Sequence, residues 1–179
     1  MNKLQIRKKI LKIRKKNYHK NLNIDFQDIY NILKKTKKFG KLVGGYYPYN
    51  YEIDGIEILE KLEKKNYKIS LPKIRNNSKM DFFSWSSKNP LQLNKYGIPE
   101  PVSNKVIYPA ILLVPLVAFD KHNNRIGYGG GFYDRYIKKI RKNKKIITIG
   151  LAYSYQEVQK VPVDKYDIKL DFIITNKKN

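Results

Sequence analysis

The chain contains no cysteine and only two histidines among its 179 residues. The lack of cysteine excludes disulfide bonds, thiolate metal ligands and cysteine nucleophiles, and it agrees with a reducing compartment. No serine stands in a Gly-x-Ser-x-Gly elbow. Covalent acyl chemistry therefore has no support in the sequence.

Long hydrophobic segments are also missing. The longest apolar run, residues 110 to 119, includes Pro115 and is too short to cross a bilayer. The first residues, MNKLQIRKKILKIRKK, contain no continuous hydrophobic region for secretion. We therefore expect a cytoplasmic protein with no membrane partner.

The length suits one domain, residues 1 to 179, that buries roughly two thirds of its unfolded surface without disulfide or metal staples.

Positive charge is in large excess. The chain has 38 Lys and Arg residues against 15 Asp and Glu residues, a net charge of +23. About half of the excess lies in the first 41 residues, where fourteen basic residues face two acidic ones. Such a field attracts nucleic acid, anionic lipid or a small polyanion such as a nucleotide. Compositional drift is the alternative, because Lys, Ile, Asn and Tyr dominate every segment of the chain.

The hydrophobic spacing predicts helices that alternate with strands. Helices are expected over residues 3 to about 17, around Ile29 and Leu33, from a cap at Asp54 to near Asn66, and from Tyr133 to about Arg141. Strands are expected at 42–47, 67–72, 81–85, 111–120, 145–153 and 171–175, with an ordered connection over 86–109. This order favours an α/β domain of three layers, a mostly parallel, Rossmann-like sheet flanked by helices.

The segment from Pro115 to Tyr136, PLVAFDKHNNRIGYGGGFYDRY, carries the most chemical information. It leads from an apolar strand through a glycine cluster into a helix. Glycines let the backbone approach an anion closely, and the N–H groups of the helix start can then face phosphate oxygens. A flexible hairpin is the alternative. Arg125 can neutralise phosphate charge, and the loop is not a Walker A loop because no Lys-Ser or Lys-Thr follows it.

Two aspartates are candidate ligands of a divalent cation. Asp134, in the first turn of the predicted helix, stands beside the phosphate loop, where Mg²⁺ needs a hard carboxylate. An acid at this position is also a routine partner of the helix dipole. Asp171, at the start of the last predicted strand, is a possible second acid or a solvated strand-end carboxylate.

With these residues in view, the chain resembles the 5-formyltetrahydrofolate cyclo-ligase family, also called methenyltetrahydrofolate synthetases. The strongest match is AFDKHNNRIGYGGGFYDRY, which is similar to the glycine-spaced motif of the family. Weaker matches follow the expected order along the chain: KLQIR, YYPYNYEID, SLPKI, YGIPEP and VPVDKYDIKLDFIIT. The resemblance implies an ATP- and Mg²⁺-dependent enzyme that converts 5-formyltetrahydrofolate to 5,10-methenyltetrahydrofolate, releasing ADP and phosphate. It also leads us to expect a monomer with no nucleic-acid partner.

The resemblance assigns roles to residues of this chain. Arg125, Tyr133 and Asp134 are the implied catalytic residues, Tyr47 and Glu52 contact the folate, and Asp134 and Asp171 hold Mg²⁺. The implied ATP-binding residues are Lys3, Arg7, Arg125, Ile126, Gly127, Tyr128, Gly129, Gly130, Gly131, Phe132 and Tyr133. Lys73 and Arg75 are candidates for the glutamate tail of the folate.

Two positions depart from the family pattern. Phe132 stands where relatives often have tyrosine, and Gly130 stands where they often have a basic residue. We expect weaker ATP binding from these changes. Two alternatives compete with the enzyme: a basic nucleic-acid-binding module without catalysis, and a relative that binds folate without turnover.

Overall fold

The computed structural model describes residues 1–18, 22–75 and 79–176. Its helices lie where the apolar spacing predicts them: α1 (Lys3–Asn17), α2 (Phe26–Lys35), α3 (Gly55–Glu63) and α4 (Phe132–Arg141). Polar side chains cap three of them. Asn2 forms a capping box with Gln5 in α1, and Asp25 caps α2. The Asp54 carboxylate accepts hydrogen bonds from the N–H groups of Ile56 and Glu57 at the start of α3. The described helices include none long and apolar enough to cross a membrane.

A sheet of seven strands forms the middle of the molecule. The strands are β1 (Leu42–Gly44), β2 (Lys68–Ile74), β3 (Met80–Trp85), β6 (Val106–Ile107), β7 (Ile111–Pro115), β10 (Ile147–Ala152) and β11 (Phe172–Thr175). Their order across the sheet is β11-β10-β7-β1-β2-β3-β6. The first five strands in this order are mutually parallel, and β3 is antiparallel to both β2 and β6. The predicted mostly parallel sheet is confirmed.

Helices cover both faces of the sheet. On one face α2 and α3 pack on the sheet through a core that includes Ile29, Leu59 and Leu113. On the other face α4 packs through Ile137 on Leu112 and neighbouring side chains. Because β7 is central and covered on both sides, its residues 111–114 are all buried. The three-layer α/β architecture is therefore confirmed.

Helix α1 belongs to neither layer. Its apolar stripe, Ile6 and Ile10, packs on a small hairpin formed by β8 (Ala118–Phe119) and β9 (Arg125–Ile126). This placement also brings Arg7 and Arg14 of α1 into hydrogen-bond contact with the chain segment that follows β7.

Three predicted elements differ from those observed. The strand expected at 111–120 ends at Pro115, and the chain then turns to form the separate β8–β9 hairpin. Proline lacks the N–H that would continue a central ladder, so it marks this end. The strand expected at 42–47 stops at Gly44, leaving 45–47 as a loop. The connection at 86–109 holds the edge strand β6 and a hairpin of β4 (Leu91–Leu93) and β5 (Pro99–Pro101).

Candidate functional site

A pocket of about 990 Å³ lies at the carboxyl ends of the central parallel strands. Ligand sites of open α/β sheets form at this edge, because the loops that follow the strands meet there. Its walls come from α1, the loop after β1, the β4–β5 hairpin, the glycine segment, the start of α4 and residues 164–167. The volume suits a ligand of substantial size.

The glycine segment forms one wall of the pocket. Gly129 and Gly131 have φ angles of 107° and 63°, in the region that favours glycine, and α4 begins directly after them. Arg7 Nε donates a hydrogen bond of 2.9 Å to the Gly127 carbonyl oxygen. A Cβ atom at Gly129 would lie 3.7 Å from the Arg7 guanidinium. Helix α1 thus holds the loop through a residue that itself lines the pocket.

The two positions that depart from the family pattern touch each other. A Cβ atom at Gly130 would lie 2.6 Å from the ring of Phe132. That ring therefore fills the space that a side chain at 130 would need. The Arg135 guanidinium packs over the same ring, 5.3 Å from its centroid, and donates a hydrogen bond to the Gly130 carbonyl oxygen.

An ion pair lies beneath the glycine wall. Arg125 Nη2 is 2.9 Å from Asp134 Oδ1, and the Arg125 side chain is only 4% exposed. The backbone N–H of Ile168 donates to the same Asp134 oxygen at 3.1 Å. Asp134 Oδ2 has no hydrogen bond to any described residue. The acid is therefore held by one oxygen, and the other remains able to bind a ligand.

A second pair of acids approaches from the segment before β11. Lys3 Nζ lies 2.7 Å from Asp164 Oδ2 and 2.5 Å from Asp167 Oδ2. Burial lowers the pKa of Lys3, but the hydrogen bonds to these two aspartates outweigh it and the pKa is raised. Because Ile168 binds Asp134, this segment brings Asp167 to the same side of the pocket as Asp134.

A second wall of the pocket is aromatic and contains Glu52, and it meets the glycine segment at Tyr128, whose hydroxyl donates to the Tyr49 carbonyl oxygen. Glu52 Oε2 accepts a hydrogen bond of 2.9 Å from the backbone N–H of Tyr49, while Oε1 is shielded from solvent and accepts no hydrogen bond from the described residues. Burial raises the pKa of Glu52 to about 7, although the Tyr49 N–H and the charge of Arg14 oppose the shift. Burial and the nearby Glu52 charge also raise the pKa of Tyr133. Glu52 thus lines the pocket with one carboxylate oxygen that no described residue uses.

The structure gathers nearly all of the predicted site residues. The fourteen that line this pocket are Lys3, Arg7, Tyr47, Glu52, Arg125, Ile126, Gly127, Tyr128, Gly129, Gly130, Gly131, Phe132, Tyr133 and Asp134. These residues come from segments as far apart in sequence as α1 and α4, so their meeting is a result of the fold.

Asp171 does not join them, and the expected pairing of Asp134 with Asp171 needs correction. Asp171 Oδ2 accepts hydrogen bonds from the N–H and hydroxyl of Thr148 and from Arg141. Thr148 lies near the amino end of β10, away from the pocket. Arg141 is the last residue of α4, seven residues after Asp134, and that spacing corresponds to roughly 10 Å along the helix. Asp171 is thus held at the amino end of β10 while Asp134 lines the pocket at the other end of the strands, so the structure does not bring the two acids together.

Lys73 and Arg75 also lie outside the pocket lining. Pro72 and Ile74 line it, and since side chains alternate along a strand, Lys73 of β2 faces the other side of the sheet. Its ammonium packs 4.7 Å from the centroid of the Phe83 ring. Arg75 packs on the same ring and pairs with Asp81. The structure therefore does not support their expected contact with a glutamate tail.

Sequence reasoning missed three residues of this region. Asp164 and Asp167 form an Asp-x-x-Asp pair in VPVDKYDIKLD, seven and four residues before Asp171. Arg14 is 1% exposed and contacts the pocket wall from α1. The sequence indicates Arg14 only through its position: it follows Arg7 by seven residues and Lys3 by eleven, which places all three side chains on one helical face.

The chain is similar to known proteins over most of its length. A family model described as the 5-formyltetrahydrofolate cyclo-ligase family matches residues 1–176. The 5-formyltetrahydrofolate cyclo-ligase of Haemophilus influenzae is 34% identical over 151 residues, covering 80% of this chain and 79% of the relative. That of Escherichia coli K12 is 31% identical over 143 residues, covering 76% and 78%.

Solved structures show the same fold. A 5,10-methenyltetrahydrofolate synthetase from Mycoplasma pneumoniae superimposes with a TM-score of 0.75 at 25% identity, covering 99% of this chain and 100% of that one. The 5,10-methenyltetrahydrofolate synthetase of Aquifex aeolicus gives a TM-score of 0.71 at 28% identity, covering 99% and 91%.

Proposed function

Because this chain belongs to the 5-formyltetrahydrofolate cyclo-ligase family, we propose that it uses ATP to close 5-formyltetrahydrofolate to 5,10-methenyltetrahydrofolate, with release of ADP and phosphate. One observation carries the proposal. A single pocket has a glycine wall with fixed cations on one side and a shielded acceptor among aromatic rings on the other. The first wall suits a polyphosphate, and the second suits a flat ring that carries N–H donors.

The glycine wall supports nucleotide binding. Its backbone lies between Arg7 and the buried Arg125, and the positive end of the α4 dipole adds to their field. The paired Arg125 is already desolvated and oriented by Asp134, so little reorganisation accompanies phosphate binding. Tyr133, directly before Asp134, packs its ring on Phe82 and keeps this part of α4 in place.

The acids that fit Mg²⁺ are Asp134 and Asp167. Asp134 makes its protein contacts through Oδ1 and Asp167 makes its contacts through Oδ2. The other oxygen of each carboxylate has no hydrogen bond to a described residue. Within the described ranges no three His, Asp or Glu side chains cluster as metal ligands. A site with two carboxylates suits Mg²⁺, which keeps several waters and takes further oxygens from phosphates. When bound, the ion would neutralise charge on the transferring phosphoryl group.

The aromatic wall supports folate binding. The reduced pterin ring carries neighbouring ring N–H and amine donors, and a carboxylate accepts both of them in a bidentate pair. Glu52 Oε1 is the unused buried acceptor of this wall. Tyr47 from the same loop and the apolar side chains of Pro72 and Met80 line the rest of the cavity near it. A flat apolar ring with a polar edge matches these surfaces.

The chemistry explains why ATP is needed. A formamide carbon is a poor electrophile, and its oxygen leaves poorly. Transfer of the γ-phosphoryl group from ATP to the formyl oxygen leaves ADP and activates the carbon. N10 then attacks this carbon and loses its proton, and the carbon–oxygen bond breaks to release phosphate. The chain contributes position: Arg125 and the glycine backbone hold the phosphates, Glu52 holds the pterin, and the surrounding rings exclude water that would hydrolyse ATP.

The direct test mixes the purified protein with 5-formyltetrahydrofolate, ATP and Mg²⁺ and follows methenyl absorbance. We expect a signal that requires all three components. A protein that binds folate with no absorbance change would be a non-catalytic relative. A flat signal combined with tight, salt-dependent binding of nucleic acid would instead favour the basic binding module.

A further inference from the structure

Arg14 links the two walls of the pocket. It is 1% exposed, and its guanidinium donates to the Leu116 carbonyl oxygen at 2.6 Å, the Tyr128 hydroxyl at 2.7 Å and the Asn50 carbonyl oxygen at 3.3 Å. Leu116 follows β7, Tyr128 belongs to the glycine wall, and Asn50 belongs to the loop that carries Glu52. One side chain therefore joins three segments that are far apart in sequence.

The loop that carries Glu52 needs such support. Asn50 and Tyr51 have φ angles of 49° and 62°, so two consecutive residues other than glycine adopt the left-handed conformation. That conformation is costly for residues with a Cβ atom, and it persists where surrounding contacts hold it. Arg14 binds the Asn50 carbonyl oxygen, and the Tyr128 hydroxyl donates to the Tyr49 carbonyl oxygen at 3.2 Å.

The same loop sets the position of the Glu52 carboxylate. The Tyr49 N–H donates to Glu52 Oε2, and the Glu52 N–H donates to the Tyr49 carbonyl oxygen at 3.2 Å. Tyr49 is therefore bonded on one side to Glu52 and on the other to Tyr128. A shift of the 49–52 loop would move the carboxylate with it.

Arg14 also acts through its charge. In the described part of the chain no carboxylate lies within ion-pair distance of Arg14, so its charge is not consumed by a direct partner. It stabilises ionised Glu52 at a longer range. The other titratable groups that face Glu52 are the phenols Tyr46, Tyr128, Tyr133 and Tyr153. Arg14 is thus the cation that favours the ionised acid.

We infer that Arg14 is a positioning residue that holds the Glu52 carboxylate for the folate by fixing the 49–52 loop to the glycine wall. The inference rests on the proposed function, because it concerns how the pocket binds that substrate. It assigns a task to α1 beyond its contacts with the nucleotide wall: Arg14, about two turns after Arg7 on the same helical face, positions the folate wall.

The test compares Arg14→Met and Arg14→Lys in steady-state kinetics over a pH series. Arg14→Met removes the donors and the charge. Its KM for 5-formyltetrahydrofolate should rise roughly tenfold or more, with a smaller loss of kcat. Because losing the cation raises the pKa of Glu52, the rise of kcat/KM with pH should also move to higher pH. Arg14→Lys keeps the charge but cannot reach three acceptors, so KM should rise while the pH limb stays in place.

Gln156→Met is the matched control. Gln156 is also 1% exposed and donates to the same Leu116 carbonyl oxygen at 3.0 Å, but it bonds to neither Tyr128 nor Asn50. It should lower the melting temperature and leave the folate KM and the pH limb unchanged. If Arg14→Met behaves in the same way, Arg14 is only structural and the inference is overturned. Should Arg14→Met fail to fold, a wild-type KM in Arg14→Lys overturns it equally.

Calorimetric titration of the same proteins with 5-formyltetrahydrofolate separates this inference from the proposed function. If the wild-type protein binds folate without turnover, the proposed reaction is refuted. The inference about Arg14 then still requires that the Arg14 variants bind folate more weakly than the wild type. Active wild-type protein with variants of unchanged folate affinity would refute only the role of Arg14.

Discussion

The two ends of the sheet use aspartate in different ways. At the amino end, Asp171 joins β11 to β10 through Thr148 and to α4 through Arg141. At the carboxyl end, Asp134 binds the buried Arg125 and one backbone N–H, and it lines a large pocket. Both are acids near α4, and both pair with arginine. Their surroundings differ: one faces neighbouring strands and the other faces a cavity.

This difference shows that the place of an acid relative to strand direction matters more than its pairing. In a parallel sheet the loops after the strands converge at one edge, and an acid at that edge meets ligands. An acid at the opposite edge meets only strand ends. Asp134 and Asp171 should therefore respond differently to the same substitution.

Asp134→Asn should produce the largest loss of activity. The amide keeps an oxygen for Arg125 and Ile168 but removes the charge that a divalent cation needs. We expect kcat to fall by about a hundredfold or more, with the fold retained, as measured by methenyl absorbance and circular dichroism. Raised Mg²⁺ should restore part of the activity. Undiminished turnover at ordinary Mg²⁺ would remove Asp134 from the proposed metal site.

Glu52→Gln should have the next largest effect, and it should act on the folate. The amide offers only one acceptor oxygen, so kcat/KM for 5-formyltetrahydrofolate should fall roughly ten- to a hundredfold while the KM for ATP changes little. In the wild type, kcat/KM should rise as pH increases through about 7, because the ionised acid binds the donors of the pterin. The variant should lose this limb.

The stability of the protein gives an independent check on Glu52. The pKa of Glu52 is about 7 in the folded chain against an ordinary value of 4.5, so the folded state holds its proton more tightly than the unfolded chain. The free energy of unfolding should therefore fall as pH rises between these values, and Glu52→Gln should reduce that slope. Glu57→Gln, an exposed partner of Lys61, is the matched control and should leave the slope unchanged. Equal slopes in wild type and Glu52→Gln would contradict the buried, protonated acid.

Much of this architecture could be predicted from the sequence. Apolar spacing located the four helices, and the continuous apolar run located the central strand. The glycine cluster before Asp134 located the glycine wall at the start of α4. These features are local, and a local pattern is enough to specify them.

The failures involve contacts between distant segments. Asp164, Asp167 and Asp171 all precede the last strand, and the sequence does not say which of them lies at the carboxyl edge. That choice depends on the bond from the Ile168 N–H to Asp134. Arg14 stands among many basic residues, and its partners are 36 to 114 positions away. Spacing places Arg14 on one helical face with Lys3 and Arg7, but it does not reveal which distant groups Arg14 binds. It also does not distinguish Asp167 from the neighbouring aspartates.

Tyr96→Ala should have a small effect at the rim of the carboxyl end. Tyr96 lies near the tip of the β4–β5 hairpin, lines the pocket and is 52% exposed. An exposed ring contributes less than a buried one, so the folate KM should rise only about two- to fivefold. Tyr166→Ala is a useful comparison, because Tyr166 lines the pocket beside Asp167 and should affect ATP more than folate. Equal effects of both variants on both substrates would argue against two distinct walls.

Asp171→Asn should have the smallest effect on activity and so provides the sharpest contrast with Asp134→Asn. It makes the same chemical change near the other end of α4. We expect kcat and the Mg²⁺ dependence to match the wild type, while the free energy of unfolding falls by about 1 kcal/mol, because the lost charge weakens partly exposed hydrogen bonds. Thr148→Val removes the hydroxyl partner of Asp171, so the two substitutions should be less than additive in denaturant unfolding. A higher Mg²⁺ requirement in Asp171→Asn would instead mean that the amino end takes part in metal binding and that the two ends are not separate in function.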